Sequence, residues 1–189
     1  MWDSTVPMIG LAMRARTLED MPRFDLPKPY GWRFFQPGDE RVWAEIETSA
    51  GEFRTPEEGV KGFRKYYPTD DGLDARMIFL TDSGRPFATA TAWFSDGGPS
   101  SSEGRLHWVS VDRAHQGLGL SKAVVSLAMH RLRKLGHTSA FLTTQTASWV
   151  AIKVYHRFGF CPEVREEKEL EGWRIVSEKT GIDFMKDLR

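Results

Sequence analysis

One cysteine, Cys161, stands among 189 residues. No intramolecular disulfide framework can form, and a reducing compartment is the simpler expectation. No window reaches the roughly 18 consecutive apolar residues of a membrane span. The opening Met1-Trp2-Asp3-Ser4-Thr5 lacks the basic and apolar stretches of a signal peptide. A soluble, cytoplasmic chain with no membrane partner is expected. Net charge is missing as well: 26 Lys and Arg face 26 Asp and Glu, which leaves no overall field to draw nucleic acid or anionic lipid. The five histidines show no metal-ligand spacing, so no metal is expected. Repeats and low-complexity tracts are absent, and at 40% hydrophobic residues the length suits one domain that buries its own core.

A further absence is local. Between Arg113 and Pro162 there is no Asp or Glu, while Arg113, Lys122, Arg131, Arg133, Lys134, Lys153 and Arg157 supply seven positive charges, joined by four histidines. All 26 acidic residues therefore lie elsewhere. A polyanionic ligand carrying a pyrophosphate suits such a segment; a solvated basic helix face is the alternative.

The same segment carries the clearest pattern. Residues 106–111, Leu-His-Trp-Val-Ser-Val, read as a strand broken by 112–115. Gly117 and Gly119 follow, where backbone can approach a ligand that a Cβ would obstruct. From Leu120 onward Val124, Leu127, Ala128, Leu132 and Leu135 recur at helical spacing, with Arg131, Arg133 and Lys134 near the end and Gly136 placed as a C′ glycine. The first N–H groups of such a helix lack intrahelical partners, which makes its terminus an anion site. A dinucleotide fold needs a third glycine and an acidic residue about 20 positions on, and neither is present. A P-loop ends in Gly-Lys-Ser/Thr, whereas Ser121-Lys122 has the reverse order.

What remains resembles the GNAT superfamily of acyl-CoA-dependent N-acetyltransferases. Their pyrophosphate loop is Gln/Arg-x-x-Gly-x-Gly/Ala, and Gln116-Gly117-Leu118-Gly119-Leu120-Ser121 matches it except for serine in the last place. One strand later the superfamily carries a helix Asn-x-x-Ala-x-x-x-Tyr-x-x-x-Gly-Phe. Here Ser148, Ala151, Tyr155, Gly159 and Phe160 keep that spacing, with Ser148 in place of asparagine and itself a good N-cap. The strand-like residues 140–144 separate the two motifs. The resemblance covers about residues 75–162.

It implies an α+β fold in α/β/α layers: a mixed, mostly antiparallel seven-stranded sheet with a V-shaped splay between strands 4 and 5 and helices on both faces. The residues supply matching elements. Strands are expected at 31–36, 76–81, 86–94, 106–111, 140–144, 160–164 and 182–188, the second and third joined by an Asp82-Ser83-Gly84-Arg85 hairpin. Helices are expected at 40–48, at 56–66 behind the capping box Thr55-Pro56-Glu57-Glu58, and at 165–179 before Gly181. The last is an insertion relative to the superfamily pattern. Residues 1–29, proline-rich with a marginal strand at 9–16, are expected to form an N-terminal arm lying on the domain or reaching a partner. Residues 30–189 are expected to form the single acetyltransferase domain.

The resemblance further implies direct attack of a primary amine on the thioester of acetyl-CoA in a ternary complex, the acceptor being a small molecule or a peptide. Tyr155 occupies the position of the general acid, a phenol of reference pKa about 10. His107, on the central strand on the face of Val109 and Val111, is the candidate base, its reference pKa of about 6.5 leaving it mostly neutral; many superfamily members use a glutamate or a water chain instead, so a packed or hydrogen-bonded histidine is the alternative. Backbone of Val109, Ser110 and Val111 is expected along the pantetheine arm, and N–H groups of Gln116, Gly117, Leu118, Gly119, Leu120, Ser121 and Lys122 on the pyrophosphate. Ser148, Ala151 and Tyr155 join them from the second motif. Trp93, Trp108 and Trp149 either line an acceptor pocket or belong to the core. Glu45, Glu47, Glu52, Glu57 and Glu58 either suit a cationic amine or keep two helices soluble. His115, His130, His137 and His156 are expected to face solvent. A non-catalytic acyl-CoA-binding module is the second reading, nucleic-acid binding is a distant third, and a homodimer is left open.

Overall fold

The computed structural model describes residues 3–69 and 71–188. In chain order its elements are β1 (Gly10–Ala15), β2 (Gly31–Phe34), α1 (Glu40–Ala50), α2 (Pro56–Tyr66), α3 (Leu73–Arg76), β3 (Met77–Asp82), β4 (Arg85–Phe94), β5 (Glu103–Val111), α4 (Leu120–Lys134), β6 (Ser139–Gln145), α5 (Trp149–His156), β7 (Cys161–Glu163) and α6 (Glu167–Thr180). Strands neighbour one another in the order β2-β3-β4-β5-β6-β1-β7. This is the mixed seven-stranded sheet expected: β1 runs antiparallel to β6 and β7, β3 antiparallel to β2 and β4, and β5 parallel to β6. The parallel ladder covers three pairs, from Glu103↔Ser139 to Arg105↔Phe141. Among the described residues no helix is long and apolar enough to cross a membrane.

The chain divides into two compact units, and β5 belongs to one by its first three residues and to the other from Leu106. The unit built from Arg23–Trp93 and Leu106–Arg131 has an aromatic core. Phe35, Trp43, Phe63, Tyr67 and Phe79 are buried together, with Phe53, Trp93 and Trp108 packed against them. Half of the capping box forms: Thr55 Oγ1 accepts from the Glu58 N–H and Pro56 takes the first helical position, while the Glu58 carboxylate accepts from the Arg54 N–H, one residue before the N-cap. Ser83 and Gly84, both at positive φ, make the two-residue hairpin turn.

Helices α1 and α2 approach closely because Gly59 has no side chain. A Cβ there would stand 2.7 Å from Ala44 Cβ and 3.0 Å from Ala44 Cα. Gly59→Ala gains about 1 kcal/mol of helix propensity. The clash, with backbone that cannot swing aside, costs about 1–3 kcal/mol. A net loss is expected, read as a lower midpoint in urea unfolding.

In the other unit the sequence expectation needs two corrections. The marginal strand expected at 9–16 forms at residues 10–15, but as an inner strand of the sheet and not as an arm lying on it, with Leu11, Ala12, Met13 and Ala15 buried and partners on both sides. Residues 182–188 are not a strand. Phe184–Asp187 form a 3-10 turn, and Phe184 alone of them is buried, its ring 5.5 Å from Trp173 and 5.0 Å from His156. Asp183, Lys186 and Asp187 dilute that segment's apolar content too far for an inner strand. The place beside β6 goes to β1, whose apolar run fits burial on both faces. The inserted helix is present as α6, capped by Gly181 at φ 71°.

Candidate functional site

The turn after β5 is held from several directions. Asp112 Oδ1 accepts from the Ala114 N–H at 2.8 Å, capping a 3-10 turn at Arg113–His115, and Ser49 Oγ accepts from the Arg113 N–H at 3.1 Å. His115 stacks on Phe87 with 4.1 Å between ring centroids. Gln116 Nε2 donates back to the Val111 carbonyl at 2.9 Å, so that side chain serves the turn itself. Gly117 and Gly119 then take φ of 80° and 76°, a region costly for other residues. Both are exposed, Leu118 between them is 58% exposed, and nothing lies within 4 Å of a Cβ built on Gly117. The first turn of α4 carries no acidic residue. Lys122 folds back, its Nζ 5.5 Å from the Phe24 ring centroid. The result is an exposed helix terminus with open space over its amides and a cation beside it.

On β5 the backbone departs from simple alternation. Trp108 has φ 47°. Consecutive residues of a regular strand face opposite sides, yet His107 and Trp108 both lie against Tyr66, at centroid distances of 6.1 and 4.8 Å. His107 is half-buried and also meets Tyr67 at 5.9 Å. Trp108 stacks on Phe53 at 5.7 Å and meets Trp43 edge-on at 5.1 Å, while Trp93 meets Tyr67 at 5.0 Å. These two tryptophans thus pack against the aromatic core beneath α1 and α2.

Ser110 is buried, and its Oγ donates to Glu47 Oε2 on α1 at 2.6 Å. Glu47 is 0% exposed, and its Oε1 is buried with no hydrogen-bond partner among the described residues. Burial pushes its pKa up from 4.5 to about 8, against the lowering effect of the Ser110 bond and with added repulsion from Glu52. The sequence reading groups Glu47 with Glu45, Glu52, Glu57 and Glu58, either suited to a cationic amine or keeping two helices soluble. A signal was available: position 47 falls on the stripe of Trp43 and Ile46, at the spacing that faces the core.

The second motif lies in the other unit. Tyr155 is 8% exposed on α5, with its ring 6.3 Å from Phe160, and Gly159 at φ 82° lets the chain leave the helix. Ser148 precedes α5 but does not cap it with its side chain; its Oγ accepts from Gln145 Nε2 at 3.1 Å instead. Ala151 is half-buried. Trp149 Nε1 donates to Asp3 at 3.0 Å, which ties it to the chain's start. The histidines also need correction. His137 is buried, with its ring against Gly104 and its Nδ1 3.2 Å from the Ser101 carbonyl, and His115 is stacked rather than solvated. The predicted residues therefore divide, with His107, Val109–Val111 and Gln116–Lys122 in one unit and Ser148, Ala151 and Tyr155 in the other.

The model of the acetyltransferase (GNAT) family matches residues 39–160. A mycothiol acetyltransferase from Thermomonospora curvata is 30% identical over 171 residues, covering 79% of this chain and 50% of that protein. Another from Geodermatophilus obscurus is 28% identical over 148 residues, covering 74% and 47%. The chain thus spans about half the length of these relatives. A GCN5-related N-acetyltransferase from Sphaerobacter thermophilus shares the fold, with a TM-score of 0.67 and 21% identity over 82% of this chain and 48% of that one. The family match takes in α1, the hairpin, the glycine turn with α4, and α5 as far as Phe160, and on it the chain belongs to the acetyltransferase (GNAT) family.

Proposed function

We propose that this chain is an N-acetyltransferase that moves the acetyl group of acetyl-CoA to a primary amine by direct attack in a ternary complex. The observation that carries this reading is the exposed glycine turn at the start of α4, within fifty residues that hold no acidic side chain. N–H groups from Gly117 to Lys122 would hold the pyrophosphate, and backbone of Val109 to Val111 the pantetheine arm. The space over Gly117, where a Cβ would meet nothing, suits a ligand laid on bare backbone. The amine must lose a proton before it attacks, and His107 is the group the family resemblance puts forward to receive it. Tyr155 would donate to the departing thiolate. The buried position of Tyr155 favours one competing reading, a non-catalytic acyl-CoA-binding module in which that side chain only packs.

Calorimetric titration with acetyl-CoA tests the cofactor site. Heat of binding is expected, and Gly119→Val should weaken it about tenfold or more. A β-branched residue at φ 76° costs about 1–2 kcal/mol of strain, and 1.4 kcal/mol is tenfold. No heat at millimolar acetyl-CoA sinks the proposal. Thiol release with spermidine, free amino acids, a peptide with a free N-terminus, a lysine-containing peptide and an aminoglycoside tests the transfer. The printed name of the relatives, mycothiol acetyltransferase, adds mycothiol-related amines to that panel.

A further inference from the structure

Glu47 is hard to explain as packing. A buried carboxyl is retained at a cost unless its oxygens are satisfied. Here one oxygen has the Ser110 hydroxyl at 2.6 Å and the other has no hydrogen-bond partner among the described residues. The charged groups around it do not neutralise it. Glu52, in the loop after α1, repels it. Arg41 is engaged by Glu45 and Glu57 at the exposed side of α1 and α2. The Arg113 guanidinium lies at the end of α1 beside Gly51, 3.8 Å from where a Cβ would stand, and His107 is three residues before Ser110 on β5. Among the described residues, the hydrogen-bond partner of the Glu47 carboxyl is Ser110 Oγ on β5, in the stretch assigned above to the thioester arm.

Resting on the proposed acetyl transfer, we infer that Glu47 is a positioning residue that acts through Ser110 Oγ to take up the proton shed by the acceptor ammonium. As Ser110 Oγ receives a proton from R–NH3+, its own proton passes to Glu47 Oε2. The products of that step are a neutral amine, an intact serine hydroxyl and a neutral glutamic acid. The amine nitrogen then bonds to the thioester carbonyl carbon as the C–S bond breaks. The thiolate takes the proton that the amide nitrogen sheds, and Glu47 returns its proton to solvent by the same path. A carboxyl held near pKa 8 is a stronger proton acceptor than an ordinary one and is matched to an amine donor.

The test is kcat against pH at saturating acetyl-CoA and saturating amine, with whichever amine of the panel releases thiol fastest. The wild type should show a limb that rises tenfold per pH unit and levels above about pH 8. Glu47→Gln, which keeps the volume, should lose that limb and fall about 100-fold at pH 8.5, with acetyl-CoA binding heat retained as the check on folding. Ser110→Ala should lose the limb as well, and Ser110→Thr, which restores a hydroxyl, should recover it. The Ser110 pair decides the matter if Glu47→Gln does not fold. A limb that stays in place in Glu47→Gln or Ser110→Ala belongs to His107 or to the acceptor, and it overturns the inference while leaving the proposed transfer standing. Acetyl-CoA binding without thiol release from any amine overturns both.

Discussion

Tyr155→Phe is expected to lower kcat for acetyl transfer about 1,000-fold and to leave acetyl-CoA affinity within about twofold. A positioned general acid contributes typically 10²–10⁴-fold, and the middle of that range corresponds to about 4 kcal/mol in the transition state. Packing cannot supply such a difference. The ring of Tyr155, buried on α5 against Phe160, is kept whole in phenylalanine. Only the hydroxyl is lost, and losing a neutral hydrogen bond costs about 1 kcal/mol in stability. In the proposed transfer, the thiolate formed as the C–S bond breaks takes this proton, so the loss should fall on kcat and spare the binding step. Thiol release and calorimetry on one preparation read both quantities. A kcat within a few-fold of wild type would make Tyr155 a packed residue and move the chain toward the non-catalytic reading.

The parts of the fold legible in sequence are those whose pattern is local. The capping box at Thr55, the two-residue turn at Ser83-Gly84, the periodic α4 with Gly136 after it and the inserted α6 with Gly181 each announce themselves within about a dozen residues. β1 announces itself only faintly, as the marginal strand at 9–16: Leu11, Ala12 and Met13 are buried in succession, which blurs the alternation, and Gly10 pairs with Gln145, far along the chain. The segment 182–188 misleads for the opposite reason: Ile182, Phe184, Met185 and Leu188 imitate an alternating strand, but Phe184 alone supplies a buried anchor and the polar residues between cannot enter an inner position. At the site, the glycine turn was readable because only glycine tolerates its φ. The positive φ at Trp108 was not, since tryptophan gives no warning of it. Nor was the hydroxyl of Ser148, which bonds to Gln145 where a cap was expected.

Glu47→Gln should also make the protein more stable, by an amount that grows with pH. Burial raises the folded-state pKa of Glu47 from 4.5 to about 8. Below about pH 4.5 the carboxyl is protonated in both folded and unfolded chains, and the substitution changes little. Between the two values the unfolded chain is ionised while the folded chain holds its proton. Folding must then take up a proton, and the wild type loses stability as pH rises; above about 8 the loss levels off. A tenfold difference in proton affinity between the folded and unfolded chains is worth about 1.36 kcal/mol, so the span from 4.5 to about 8 sets a ceiling of about 5 kcal/mol. Glutamine titrates nowhere in this range and escapes that loss. Urea unfolding of both proteins at pH 5, 7 and 8.5 should show curves close together at pH 5 and several kcal/mol apart at 8.5, the variant being the more stable. Equal stability at all three values would mean that Glu47 ionises in the fold without penalty, and the proton-holding role would lose its physical basis. The expected divergence ties stability to function: a charge-neutral residue of the same shape would hold α1 to β5 better, and the carboxyl that stands there is the one able to take a proton from Ser110.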